Sequence, residues 1–509
     1  MTTGSPPAAA PLDPRLARIR DFEGKYPRQL WWLFLSEMWE RFCFYGMRGV
    51  LTVFMIRKLM MEDADATLQF GAFQAFIYTM TFVGGFFADK VLGFRKSITW
   101  GGLLMVAGSF TVAVGLLWTN APRDMFFIGM SISIVGTGFF KPNISGVVGL
   151  LYHDGDPRRD AGFSLFYSGI NLGAALGGYL CLTVGEAYGW HWTFITAGIA
   201  MTLGVSVFAL TAHTLGPLGF SPLVPEGSVP TPAARRKLAA VYLGSLLAVP
   251  LILLLVSNSN YTDYFMYAVG PLALGYFVWD MRTCTRIEAE KLLAALVFIV
   301  FSIFFWAFFE QAGGSLAIVS TYLRPVEVLG TELTGLQVNN TANSIYVIVF
   351  SPLLGLIWLG MRHRAPNTVI KFGLGFLFIA GAFGIFHSLI HFAGADGTSS
   401  LAIFALAWFA ATIGELCLSP IGLSAMTKLA PKRMFGVIMG LWFLASAYGA
   451  YFAGILGAAM APVDQDAPQL ERLAGYTDGY WQLMVYAVAI GVLLIAISPW
   501  VRKLMHEEK

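Results

Sequence analysis

The sequence predicts an all-α membrane protein with fourteen spanning helices, on three observations. Apolar runs of roughly 20 residues, the length that crosses a bilayer core as helix, recur from end to end of the 509-residue chain. Charged residues make up 12% of it and hydrophobic ones 57%. A soluble domain carries about 25% charged residues, and half that share leaves too little polar surface to coat a water-soluble globule. Basic residues, finally, gather in alternate loops, the asymmetry that orients spans in a membrane.

Residues 1–28 are rich in Pro and Ala and then charged, without the apolar stretch of a cleavable signal peptide. They read as a short cytoplasmic tail with an amphipathic stretch at 13–23. Spans follow at about 29–58, 68–90, 96–118, 124–150, 160–186 and 191–212, a first six-helix unit over 29–212. Segment 213–236, with Gly216-Pro217-Leu218-Gly219 and Pro230-Thr231-Pro232, reads as a linker. With spans 237–257 and 262–282 it makes an insertion over 213–288. Spans 289–319, 336–361, 369–392, 400–428, 433–459 and 479–504 form the second unit over 289–504, and 505–509 is a second cytoplasmic tail. Six spans on each side of an insertion match transporters whose two bundles rock about a midplane site.

With the N-terminus inside, 25 of the 33 basic residues fall on the cytoplasmic side. Five (Arg57, Lys58, Arg123, Arg324, Arg472) fall on the other, leaving Arg41, Arg48 and Lys141 within the membrane. Both termini are therefore expected in the cytoplasm, with the chain in the inner (cell) membrane. The net charge of +3 is tied to these loops and offers no nucleic-acid face. Cys43, Cys181, Cys284 and Cys417 are scattered without a CxxC pair, so neither a disulfide framework nor a metal site is expected. HExxH, GxSxG and GxxxxGK[ST] are absent, so no enzyme, no cofactor and no nucleotide-driven pump is expected. Nor does the chain carry the selectivity-filter repeats of a channel.

Ionisable groups at membrane depth are costly and mark ion or substrate pathways. Seven lie in the apolar runs: Glu37, Glu40, Arg41, Arg48, Lys141, Glu310 and Glu415. At about 100° per residue, Glu37, Arg41, Tyr45 and Arg48 share an arc of roughly 80°, with Glu40 about 60° to the other side. The opposite face (Trp31, Phe34, Leu35, Phe42, Leu51, Phe54) is apolar. One reading of Glu37, Glu40 and Arg41 is a purely structural network within the helix. Arg48 and Lys141 have no acid on their own helices, so their partners must come from elsewhere, and Glu310 in the second unit is the candidate. A charge pair spanning two bundles breaks when they separate and so serves as a gate. Glu310 stands after the aromatic run Phe304-Phe305-Trp306-Ala307-Phe308-Phe309 and can take up a proton when Arg48 leaves. Glu415, before Ser419-Pro420, is a lone anion fit to receive a substrate ammonium. Tyr167 and Asn171, at i and i+4, present a hydroxyl and an amide together, although interhelical glue is the plainer reading of such an Asn. Asp89, at a cytoplasmic helix end, is expected to clasp neighbouring helix ends. Glycine and proline at Gly84-Gly85, Gly136-Thr137-Gly138, Pro142, Gly173 to Gly178, Gly313-Gly314 and Pro420 serve close packing, helix breaks, or both.

Three motifs resemble the proton-dependent oligopeptide transporter family, a branch of the major facilitator superfamily. Glu37-Met-Trp-Glu40-Arg41-Phe42-Cys-Phe44-Tyr45-Gly46 is similar to its ExxERFxYYG pattern, with Phe44 in place of the first Tyr. Residues 84–93 resemble its GGxxADxxxG stretch, with Ser97-Ile98 where Thr-Ile is usual. Phe166-Tyr167-Ser168-Gly169-Ile170-Asn171-Leu172-Gly173 resembles its FYxxINxG signature. The resemblance runs along the whole chain, including the extra helix pair of bacterial members. It implies the major facilitator fold, two six-helix bundles plus two extra helices, and proton-coupled import of di- and tripeptides by a monomer.

Residue by residue, the resemblance implies that Arg41, Arg48 and Lys141 hold the peptide carboxylate. Asn171, Asn343 and Glu415 hold its ammonium and nearby backbone; Ser344 stands where the family has Pro. Tyr45, Tyr78, Tyr167, Trp306 and Trp442 shape side-chain pockets. Glu37, Glu40, Arg41, Lys141 and Glu310 serve proton coupling and gating, and Gly85, Asp89 and Gly93 form a conformational motif. Some relatives carry nitrate, but an anion needs no acidic pole, and Glu415 favours a zwitterion.

Overall fold

The computed structural model describes residues 13–153, 155–328 and 330–506. The outermost parts of both expected tails, 1–12 and 507–509, lie outside the described residues. A short helix α1 (Pro14–Arg20) precedes the first half, made of α2 (Arg28–Arg48), α3 (Leu51–Arg57), α4 (Asp63–Phe87), α5 (Phe94–Trp118), α6 (Pro122–Leu150), α7 (Arg158–Tyr188) and α8 (Trp190–Thr211). The inserted pair is α9 (Pro232–Val256) and α10 (Ser259–Met281). The second half holds α11 (Arg286–Phe309), α12 (Ser315–Ser320), α13 (Gly335–Met361), α14 (Thr368–His387), α15 (Leu401–Leu429), α16 (Phe435–Met460) and α17 (Gln469–Met505). Among the described residues, twelve spans meet the length and hydropathy of a membrane crossing. Helices α2 and α10 do not, α2 because of its charges and α10 because tyrosines and Asp263 and Asp280 dilute its apolar content.

Side-chain caps start several helices where the chain turns. Thr285 and Glu288 close a capping box on α11, Thr334 and Gln337 another on α13, and Asn367 accepts from the Ile370 N–H on α14. Two expected spans are broken. The first ends α2 at Gly49 and resumes as α3. The ninth passes from α11 through a 3₁₀ turn at Glu310–Gly313 into α12, so Glu310 lies at the break itself. Among the described residues, the strands are those of a two-stranded hairpin, β1 (Val326–Val328) and β2 (Thr331–Leu333), in the loop before α13.

Two separate apolar cores underlie the two halves. Phe54, Phe73, Phe126 and Phe194 meet in one, with ring centroids 5.2–5.7 Å apart. Phe305, Phe376, Phe383, Trp408 and Tyr480 lie in the other. The inserted pair divides between them: α9 adds Val241 and Val256 to the first core, and α10 adds Phe277 to the second. Helices α4 and α16 then bring the halves into backbone contact, since a Cβ on Gly71 would lie 2.9 Å from Gly454 Cα.

The expected linker is bound to the first half. Arg95 donates from Nε to the Leu218 carbonyl at 2.7 Å and stacks on Phe220, its guanidinium 4.3 Å from the ring centre. The expected amphipathic stretch is α1, which buries Ile19 and joins Arg15 to Glu226 at 2.7 Å.

Candidate functional site

The polar face of α2 is buried against its neighbours. Arg41 donates from Nε to Glu40 and stands 3.3 Å from a Glu37 oxygen, with all three side chains at most 2% exposed. This triad therefore satisfies itself within one helix, apart from Glu37 Oε2, which is buried without a protein partner. The Arg41 guanidinium lies 4.9 Å from the Phe44 ring centre. Lys141 of α6 points to the same ring at 5.9 Å and to Tyr78 at 5.0 Å. Among the described residues it makes no ion pair or hydrogen bond, so its ammonium is held by aromatic faces alone.

About two turns beyond Arg41 on α2, Arg48 makes the cross-half ion pair with Glu310 that the sequence anticipates. Its guanidinium also rests on Tyr45 and Phe70, 5.7 and 5.5 Å from their centres. The pair lies where both helices break, α2 at Gly49 and α11 at Phe309. A Cβ on Gly49 would meet the Asn340 side chain at 2.6 Å, and Asn340 Nδ2 donates to the Gly49 carbonyl at 3.1 Å. Thr52 donates to the Gly313 carbonyl, and Gln337 Nε2 to Thr183 Oγ1 at 2.9 Å. Nearer the membrane edge, buried Asp63 accepts from Arg472 at 2.7 Å and from Tyr476 at 2.9 Å.

Every one of these contacts lies between mid-membrane and the loops opposite the basic side. Among the described residues, no hydrogen bond or ion pair joins the first half to the second at the basic end. Tyr167, two helical turns inside that end, is 43% exposed. The molecule is thus closed at one end and, among the described residues, parted in its polar contacts at the other, where Phe82 of α4 still packs on Gly440 of α16.

The parting corrects the expectation for Asp89. It is solvent-exposed, on a π-helical turn at Ala88–Leu92, and clasps no neighbour among the described residues. The glycine constraint of its motif also falls one residue early. A Cβ on Gly84 would sit 2.0 Å from the Gly138 carbonyl oxygen, whereas at Gly85 the nearest atom is 3.7 Å away. Gly93 is required by its φ of +76°.

In the second half, Glu415 Oε2 accepts from Asn343 Nδ2 at 2.7 Å, and no cation pairs with it among the described residues. A cavity of about 40 Å³ between the halves is lined by Tyr45, Arg48, Asn340, Asn343, Ser344 and Trp408. Three of these are sequence candidates. Asn340 and Trp408 went unread, because nothing in their local sequence separates a lining amide or indole from the many that only pack. Asn171 donates its amide to the Tyr167 carbonyl at 3.0 Å, a bond within its own helix and not the interhelical one of the plainer reading. Trp442 is buried against Gly422, and Trp306 packs on Gly449 with its indole N–H unpartnered.

Comparisons with known proteins follow this geometry. The PTR2 model of the POT family matches residues 95–473. Peptide transporter YePEPT of Yersinia enterocolitica is 32% identical over 509 residues, covering 96% of each chain. Dipeptide and tripeptide permease B of Aeromonas hydrophila is 28% identical, covering 94% of each. Among solved structures, a mutant of peptide transporter POT in complex with alafosfalin has a TM-score of 0.82 at 32% identity, over 97% of this chain and 99% of that one. Tetrameric PepTSo2 has 0.81 at 27%, over 94% and 99%.

Proposed function

The chain belongs to the POT family, and from that membership we propose that it is a symporter carrying di- and tripeptides, with protons, across the membrane by alternating access. The observation that carries this reading is a pair of unsatisfied poles on opposite halves. Lys141 in the first half has only rings beside it, and Glu415 in the second has only an amide. A short zwitterion neutralises both at once, its carboxylate toward Lys141, Arg41 and Arg48 and its ammonium toward Glu415 and Asn343. Because the peptide backbone has fixed ends and variable side chains, such poles accept many sequences. Tyr45, Tyr78, Tyr167, Trp306 and Trp442 are the proposed neighbours of those side chains, and Asn171 is proposed with Glu415 and Asn343 for the ammonium and nearby backbone.

Charge balance supports proton coupling. The three membrane-depth cations Arg41, Arg48 and Lys141 stand against four carboxylates, Glu37, Glu40, Glu310 and Glu415, an excess of one negative charge that a single proton removes. Glu310 is the proposed carrier: when Arg48 turns to the peptide carboxylate, Glu310 loses its cation, and the gate it forms with Arg48 opens. A proton entering a negative interior contributes about 2.3 kcal/mol per 100 mV. With the basic end in the cytoplasm, both termini lie inside and the described state is inward-facing. Helices α2–α3 and α10 complete fourteen spans in the inner membrane, and one chain carries both halves of the site, so a monomer suffices.

The test is uptake of a labelled dipeptide by reconstituted vesicles with and without an inward proton gradient. The reading requires accumulation only with the gradient, and peptide uptake unaffected by excess nitrate. Accumulation without the gradient removes the symport; displacement by nitrate replaces the peptide with an anion.

A further inference from the structure

A second cavity lies away from the interface between the halves. It holds about 580 Å³ at the basic end of the second half, where α11, α13, α14, α15 and α17 diverge. Three lysines from three helices line it: Lys291 in the first turns of α11, Lys371 in the first turn of α14 and Lys428 in the last turn of α15. No Asp or Glu lines it, and none of the three lysines has an acidic partner among the described residues. The adjacent carboxylate, Glu290, is already engaged by Arg286 at 2.9 Å and His506 at 2.6 Å. Lys371 lies over the Trp358 ring at 4.8 Å, and Leu354 and Ile421 supply apolar wall. Thr368 and Lys371 also bring the first turn of α14 to the cavity, and the positive end of that helix dipole favours an anion.

Unpaired positive charge over an apolar cleft, at the level where a bilayer changes from tails to headgroups, matches one chemistry. We propose that this cavity binds the phosphate headgroup of an anionic phospholipid, its charge among Lys291, Lys371 and Lys428 and its chain against Leu354 and Ile421. None of these residues belongs to the peptide machinery, so the inference does not depend on the transport reading. A free phosphate shares the headgroup's charge but has no use for the apolar wall.

The experiment uses the full chain in a neutral detergent, with binding of dioctanoyl phosphatidylglycerol followed by native mass spectrometry beside dioctanoyl phosphatidylcholine and inorganic phosphate. Each lysine near a headgroup favours an anionic lipid by about fivefold. Lys371→Gln with Lys428→Gln should therefore reduce the phosphatidylglycerol preference about 25-fold, while the Arg pair at the same positions keeps it. Dipeptide counterflow by the Gln pair should equal wild type and so report an intact fold. If that pair does not fold, Lys428→Gln alone should lose about fivefold. An undiminished preference in the folded Gln variant overturns the proposal. So does inorganic phosphate displacing the lipid at equal concentration, which would make the cavity a free-anion site.

Discussion

Replacing Glu310 by Gln tests the gate directly. The Arg48–Glu310 pair joins the halves with side chains only 16% and 5% exposed, and deleting one partner of a buried pair costs about 3–5 kcal/mol. Gln retains an acceptor for Arg48, and the Thr52–Gly313 and Asn340–Gly49 contacts persist, so the closed end should lose about 2 kcal/mol, roughly 30-fold in the equilibrium. A population opened at this end of about 1% would become about a quarter. Spin labels on Met60→Cys and Val463→Cys, both strongly exposed at the closed end and on opposite halves, read that change as a second, longer distance. Cys284→Ser removes the only partly accessible cysteine, since Cys43, Cys181 and Cys417 are buried. The same substitution should abolish gradient-driven dipeptide uptake and leave counterflow exchange intact. An unchanged distance distribution refutes the gate, and surviving gradient-driven uptake refutes the assignment of the proton to Glu310.

Asp63→Asn removes the fully buried anion shared by Arg472 and Tyr476, and should lower stability by about 3 kcal/mol, read as an earlier thermal midpoint; combined with Glu310→Gln it should add to the label-distance shift, because the two contacts share no partner. Gly84→Ala drives a methyl into the Gly138 carbonyl and should destabilise by about 1–3 kcal/mol or more, whereas Gly85→Ala should unfold at the wild-type temperature. Glu415→Gln should raise KM for a free dipeptide about 10- to 100-fold, the range of a lost charge-assisted hydrogen bond, and leave that for an N-acetylated dipeptide, which carries no ammonium, unchanged.

The charged face of α2 was legible because helical period and hydropathy are local: a carboxylate or guanidinium inside an apolar run stands out from its neighbours alone. So was the need for a distant acid opposite Arg48, since its own helix offered none. Lys141 shows the limit. The same logic expected a carboxylate, and the structure supplies Tyr78 and Phe44. Asp89 shows another, since a clasp between helix ends exists only when those ends meet, and the basic end is parted. Asp63, Arg472 and Tyr476 lay unread near span ends, where charges are ordinary.

Composition, run length and loop charge by themselves determined an α-helical membrane protein in two six-span units, and the buried charges marked where its chemistry lies. Each of those signals is a free energy of transfer, summed residue by residue and blind to partners. Only the tertiary structure decided that α2 and α11 break beside each other, that two side chains 262 positions apart meet as an ion pair, and that Arg41 is satisfied within its helix while Lys141 and Glu415 are not. The physical reason is that pairing depends on distance in space, which helix packing sets, and close glycine contacts such as Gly71 on Gly454 set that packing.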